Sequence, residues 1–340
     1  MVIVLRPAPG SCEWPRLASA STPPEPTDSH VLRSTFLWLS ENPGIFRFVK
    51  RNRLARRIAL RFVAGETLDA AIEAARATNA KGIMVSLDLL GESVSSPEET
   101  HNARDEIIRT VEAVAESGIK GNVSVKLTQL GLDISDELCA ENTRAVLDRA
   151  KELDVFVRLD MEASDYTERT LRLFHDHFHP EYNGLTGVVI QSYLRRSEQD
   201  VGRLTSLGAR VRLCKGAYAE PEEIAFQERE EVSASFVRLM ERLVEKGNYP
   251  GIATHDAELI VKTVAFVEEK GIPPERFEFQ MLYGVRRDLQ DELHSKGYNM
   301  RVYIPFGTAW YPYLMRRLAE RPANVAFMAA SLFKETFRRR

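Results

Sequence analysis

Arg301-Val-Tyr-Ile-Pro-Phe-Gly307, followed after a short gap by Tyr311-Pro-Tyr-Leu-Met-Arg-Arg-Leu-Ala-Glu-Arg-Pro322, reads as a strand feeding a short helix. Val302, Ile304 and Phe306 form a β-rich run that Gly307 stops, Pro312 suits the first turn of a helix, and Pro322 ends it. On that helix Tyr313, Arg316, Arg317 and Glu320 fall at i, i+3, i+4 and i+7, so a phenol, two guanidiniums and a carboxylate share one stripe. Neighbouring guanidiniums suit a planar anion; the alternative is a solvated face with an i, i+4 salt bridge.

Working outward, seven similar runs precede this strand, at 82–89, 122–127, 155–159, 187–190, 210–213, 251–254 and 277–281, with 300–305 as the eighth. Helix-length charged segments separate them. Strands alternating with helices predict parallel βαβ units, and eight of them over roughly 230 residues match the size of a (β/α)8 TIM barrel. An open doubly wound sheet is the alternative, weakened because no Gly-x-Gly-x-x-Gly follows the first strand.

Ahead of the barrel, residues 7–30 hold Pro7, Pro9, Pro15, Pro23, Pro24 and Pro26 among Ser, Thr and Ala, so 1–30 is expected to be a disordered arm. Residues 31–80 read as N-terminal helices, the second over 67–80, where Leu68, Ala71, Ile72 and Ala75 repeat at helical spacing. The barrel, as the catalytic domain, is expected to fill 81–336. Between Asn42 and Gly65 there is no acidic residue, while Arg47, Lys50, Arg51, Arg53, Arg56, Arg57 and Arg61 accumulate. This is either a solvated helical face or a basic patch for membrane headgroups or another polyanion.

The 340 residues suffice for one large domain, and a formal charge of −3 gives the whole molecule no pull toward nucleic acid. No apolar run reaches the length of a membrane span. The opening Met-Val-Ile-Val-Leu-Arg-Pro is too short for a signal-peptide core and lacks a basic lead-in, so a cytoplasmic protein is expected. Cys12, Cys139 and Cys214 are odd in number and widely separated, as reduced thiols would be.

Sites in such barrels are built at the carboxyl ends of the strands. Those ends carry Asp88 and Glu92, Lys126, Asp160 and Glu162, Gln191, Arg212 and Lys215, His255 and Asp256, Gln280 and Tyr283, and Tyr303. Five cations, Lys126, Arg212, Lys215, Arg316 and Arg317, come from separate segments and would repel one another without an anion among them. An acidic ligand is implied, with phosphate as well as carboxylate. Lys126 or Lys215 as a Schiff-base amine remains the alternative. Metal catalysis is disfavoured: His255 and Asp256 are adjacent and would point to opposite faces, and His175, His177 and His179 cluster between strands. Cys214 reads as a small packed residue.

The runs Arg212-Leu-Cys-Lys-Gly-Ala-Tyr218, Arg158-Leu-Asp-Met-Glu162, Gln191-Ser-Tyr-Leu-Arg-Arg196, Ala253-Thr-His255 and Leu314-Met-Arg-Arg-Leu-Ala-Glu320, in that chain context, resemble the proline dehydrogenase family from about Arg57 to Ser331. The resemblance implies a distorted (β/α)8 barrel with an N-terminal helical segment, binding FAD non-covalently and oxidising L-proline to Δ1-pyrroline-5-carboxylate by hydride transfer, with a quinone reoxidising the flavin. It implies that Arg316 and Arg317 grip the proline carboxylate with Lys126 assisting, and that Tyr303, Leu213 and Leu282 wall the pyrrolidine ring. Asp160 would hydrogen-bond near substrate and flavin. Met161, Gln191, Arg212, Lys215, Gly216, Ala217, Thr254 and His255 would line the FAD, with Glu320 close to it; Gly216 would leave room for the cofactor, and the Arg212 charge would raise the flavin's potential. Further implied partners are a peripheral contact with the inner membrane and a pyrroline-5-carboxylate dehydrogenase. Ala219 departs from the family pattern, where a bulkier residue often follows the Gly-Ala-Tyr run.

Overall fold

The computed structural model describes residues 61–91 and 94–320, with the backbone alone over 316–320. These fall almost wholly in one compact unit, Asn42–Leu314; the other unit joins Met1–Glu41 to Met315–Arg340. The expected arm 1–30, the helix before position 60, the basic residues from Arg47 to Arg57, Cys12 and Glu92 lie outside the described residues.

Eight parallel strands close on themselves in chain order. They are β1 (Met84–Leu89), β2 (Gly121–Val125), β3 (Val157–Leu159), β4 (Thr186–Gln191), β5 (Arg210–Cys214), β6 (Gly251–Ala253), β7 (Glu278–Leu282) and β8 (Met300–Phe306). Closure comes from six residue pairs between β1 and β8, Met84 opposite Arg301 through Leu89 opposite Phe306. The expected strands are all present, their ends displaced by no more than two residues. The α/β fold is therefore a (β/α)8 barrel.

The helices are α1 (Leu68–Asn79), α2 (Pro97–Ser117), α3 (Asp136–Glu152), α4 (Ser164–Leu173), α5 (Ser197–Ser206), α6 (Arg229–Lys246), α7 (Ala257–Glu269), α8 (Arg287–Ser295) and α9 (Trp310–Glu320). Hydroxyl caps start several of them: the side chains of Thr67, Ser96 and Ser135 accept from Ala70 N, Glu99 N and Leu138 N. Helix α1, which precedes the first strand, packs on β8 and β1 and covers the seam where the barrel closes. Ala64 N donates to Pro305 O at 2.9 Å and Trp310 Nε1 to Glu66 Oε1 at 3.0 Å, tying this entering segment to the end of β8.

Strand side chains alternate between faces. Val85, Leu87, Val123, Val125, Val157, Leu159, Val211 and Leu213 are wholly buried against the helix layer. The residues between them, Ser86 and Asp88, Ser124, Arg158 and Asp160, Arg210 and Arg212, point into the barrel. Its interior is therefore polar and charged. Towards the amino ends of the strands, Arg301 makes a two-pronged contact with Glu278 (2.7 and 2.9 Å), Gln280 donates to Glu278 at 2.6 Å, and Arg158 donates to the carbonyls of Val188 and Arg210.

Candidate active site

Above that layer, five strands deliver their inward side chains to one cluster. Asp160, just past β3, accepts from Arg212 of β5 through one oxygen and from the Tyr303 hydroxyl of β8 at 2.7 Å through the other. Arg212 also donates to Ser124 Oγ at 3.3 Å, and its guanidinium carbon lies 5.1 Å from the centre of the Tyr303 ring. Lys126, just past β2, donates to Asp88 of β1 at 2.7 Å and lies 3.8 Å from Asp160 Oδ2. Ser86 and Ser124 bond each other at 3.1 Å beneath.

These groups hold defined protonation states. Burial, together with the Asp160 and Asp88 carboxylates, pushes the Tyr303 phenol well above its ordinary value, so it stays a neutral donor. Burial opposes the charge on Arg212, but the Asp160 carboxylate outweighs it and holds the guanidinium above its ordinary value. Burial also holds the Asp88 carboxyl above its ordinary value, with Lys126 opposing that rise only in part.

A second group spans the ends of β4 to β7. Lys215 donates to Asp256 at 2.8 Å and to Ser233 at 3.3 Å; burial would raise the Asp256 carboxyl, but Lys215 keeps it below its ordinary value. Asp256 also caps α7, with Thr254 Oγ1 accepting from its own N–H at 3.1 Å. His255 Nε2 accepts from Leu282 N at 2.8 Å, so the neutral ring carries its hydrogen on Nδ1. Gln191 is buried at the end of β4, and its Oε1 has no hydrogen-bond partner among the described residues. Met161 is buried and Ala217 half-buried nearby in sequence to these groups.

Several expectations change. The strand-end cations do not repel one another across an empty mouth: Lys126, Arg212 and Lys215 each have a carboxylate of the chain itself, in Asp88, Asp160 and Asp256. Leu213 follows Arg212 on β5, faces the helix layer and is fully buried, so strand alternation turns it away from the cavity; Leu282, two residues beyond Gln280, faces inward. Gly216 has φ +104°, and a Cβ there would lie 2.2 Å from Tyr193 Cδ1, so the chain's own tyrosine already demands glycine. Gln280 belongs to the lower layer with Glu278 instead of the mouth. Glu162 is held by Thr128, from its hydroxyl at 2.6 Å and its N–H at 3.2 Å. Cys214 is only half-buried.

His175, His177 and His179 lie in and just after a π-helical turn (Phe174–Phe178), bonded respectively to Asp176, Arg144 and the Leu207 carbonyl. No cluster of three metal-ligating side chains occurs among the described residues. Arg316, Arg317 and Glu320 lie in the last turns of α9, and their side chains fall outside the described residues. The partner that sequence reasoning left without a role is Asp88. Its signal was present in the alternation Ser86, Asp88 on β1 against apolar Val85 and Leu87.

The family model described as proline dehydrogenase matches residues 71–330, most of the chain. Proline dehydrogenase 1 of Bacillus subtilis is 41% identical over 307 residues, covering 90% of this chain and 100% of that protein. The chain belongs to the proline dehydrogenase family. The proline dehydrogenase of Deinococcus radiodurans is 39% identical, over 89% of this chain and 98% of that protein. Among solved structures, proline utilization A of Bdellovibrio bacteriovorus, inactivated by N-propargylglycine, superposes with a TM-score of 0.75 at 28% identity, over 86% of this chain. The chain spans 36% of that longer protein, and 24% of the bifunctional protein PutA of Escherichia coli, to which it is 27% identical. It is thus an oxidoreductase of this family that covers the whole length of the Bacillus relative. No helix among the described residues is long and apolar enough to cross a membrane.

Proposed function

We propose that this chain oxidises L-proline to Δ1-pyrroline-5-carboxylate, the first step of proline catabolism, by hydride transfer from the ring carbon next to nitrogen to non-covalently bound FAD. The observation that carries the reading is the Lys126, Asp160, Arg212 and Tyr303 cluster at the barrel mouth of a chain in this family. Bound flavin would supply the two-electron acceptor and pass its electrons to a quinone.

The chain's own residues divide the remaining work. Because Lys126 and Arg212 already face carboxylates, the positive charge needed to receive a substrate carboxylate falls chiefly to Arg316 and Arg317, with Lys126 shared between Asp88 and the substrate. Tyr303, neutral and fixed by Asp160, offers its ring as a wall, with Leu282 beside it. Fixing the carboxylate at one end orients the ring carbon towards the acceptor. The orphaned Gln191 Oε1 suits a donor on a bound group, and Met161, Lys215, Gly216, Ala217, Thr254, His255 and Glu320 are proposed to complete the flavin site. The product imine suits a pyrroline-5-carboxylate dehydrogenase as its next acceptor. The basic residues 47–61 are proposed to bring the protein to the inner membrane, where the quinone resides.

A visible spectrum tests this directly. The purified protein should be yellow, and its flavin absorption should bleach on adding L-proline without oxygen. A colourless protein inactivated by borohydride with a carbonyl substrate would support the Schiff-base alternative at Lys126 or Lys215, and a yellow protein that proline leaves unbleached would refute proline as substrate.

A further inference from the structure

Lys126 occupies an environment that does not favour a charged amine. Its side chain is 12% exposed, and the cluster around it includes the Arg212 guanidinium. Burial of this kind drives lysines towards the neutral form unless an anion is at hand. Asp160 offers only part of one: its oxygens are engaged by Arg212 and by Tyr303, and Lys126 Nζ stands 3.8 Å from the nearer of them. Among the described residues, Asp88 presents a carboxylate at hydrogen-bond distance, 2.7 Å away and itself 1% exposed.

Asp88 is also well anchored. It sits within β1, between strands β2 and β8, opposite Ser124 on one side and Pro305 on the other. Among the described residues, the titratable and charged groups facing the pair are Asp160 after β3, Arg212 on β5 and Tyr303 on β8. A rigid strand thus presents a buried anion to a long, flexible side chain, fixing both where its ammonium lies and that it stays charged.

We propose that Asp88 is a positioning residue for the oxidation: its carboxylate holds the Lys126 ammonium charged and in place to receive the substrate carboxylate. The inference rests on the reading of Lys126 as part of the carboxylate grip and deepens it, since no role follows for Asp88 from that reading alone.

The test is Asp88→Asn, which keeps shape and one acceptor but removes the charge. KM for L-proline should rise on the order of tenfold, with kcat far less affected. Lys126 should also lose its proton more readily, so the basic limb of kcat/KM against pH should move to lower pH. A residue that merely supports the fold would not move that limb. Binding of cyclopentanecarboxylate, which cannot be oxidised at nitrogen, should weaken in parallel by calorimetry, and adding Lys126→Met to Asp88→Asn should cost little more than Lys126→Met alone. Should Asp88→Asn fail to fold, Asp88→Glu keeps the charge but displaces it by one methylene: a raised KM with the wild-type basic limb supports the inference. An unchanged KM in either variant, or an unmoved basic limb in Asp88→Asn, overturns it. If wild-type protein neither bleaches with L-proline nor binds cyclopentanecarboxylate, the underlying reading falls and takes this inference with it, whereas normal wild-type behaviour with unaltered variants removes the inference alone.

Discussion

Arg212 is held on three sides, by the Asp160 carboxylate, the Ser124 hydroxyl and the face of the Tyr303 ring. A planar guanidinium meets all three at once; a lysine ammonium, a compact point on a flexible stem, meets one. Arg212→Lys keeps the charge and should still lower kcat/KM for L-proline on the order of a hundredfold, because the loss is of geometry in a water-poor site where aimed charge matters most. Steady-state kinetics beside a thermal midpoint check it, and a loss within about twofold would show that charge alone suffices. Single positions also show where residue-level reasoning stops. The sequence marks Gly216 as a place without room for a side chain, and what fills the space is the chain's own Tyr193, a neighbour brought up by the pairing of Tyr193 N with Lys215 O at 2.9 Å.

At the scale of the strand, alternation decides what enters the barrel, and β7 and β8 supply the pair that matters most below the site. Glu278 and Arg301 are both buried, and Arg158 and Arg210 lie close enough for their charges to be felt. Burial works to raise the Glu278 carboxyl, but Arg301 and the Gln280 hydrogen bond win and hold it below its ordinary 4.5. A carboxyl with a depressed folded value stabilises above its ordinary value and loses that contribution as pH falls through the folded one. Glu278→Gln leaves buried guanidiniums uncompensated and should cost about 3–5 kcal/mol at neutral pH, a gap that denaturant titrations should find narrowing below about pH 4.5. A pH-independent gap would mean that Glu278 acts through packing alone. The strands themselves were legible because β-rich runs and helix-length spacers repeat in the sequence. The counter-ions were not, because a period of two says which face a side chain takes and nothing about which strand's residue it meets across the barrel. Asp88 with Lys126, and Asp160 with Arg212, are such meetings, separated by 38 and 52 positions in the chain. The docking of α1 on the β8–β1 seam was hidden for the same reason: amphipathic spacing announces a helix but not its partner.

At the scale of the whole molecule, the near-balanced charge of −3 conceals an uneven distribution. At the barrel mouth, Lys126, Arg212 and Lys215 are matched by the chain's own Asp88, Asp160 and Asp256, so these cations contribute little to any long-range field. The stretch from Asn42 to Gly65, by contrast, carries seven basic residues and no acidic one, and the remaining chain is correspondingly acidic. Attraction of such a stretch to an anionic surface amounts to about 1 kcal/mol per basic residue near the surface and decays within a Debye length. The purified protein should therefore sediment with vesicles containing anionic lipid and not with neutral ones, and salt at about 1 M, where the Debye length shrinks to about 3 Å, should release it. Replacing Arg47, Lys50, Arg51 and Arg53 together by Gln should abolish sedimentation while leaving the bleaching by L-proline intact, since none of the four is among the residues proposed to bind proline or flavin. Vesicle binding that survives both salt and these substitutions would place the contact elsewhere on the molecule, and a wild-type protein that ignores anionic vesicles would leave the quinone to reach the flavin without a basic membrane-facing surface.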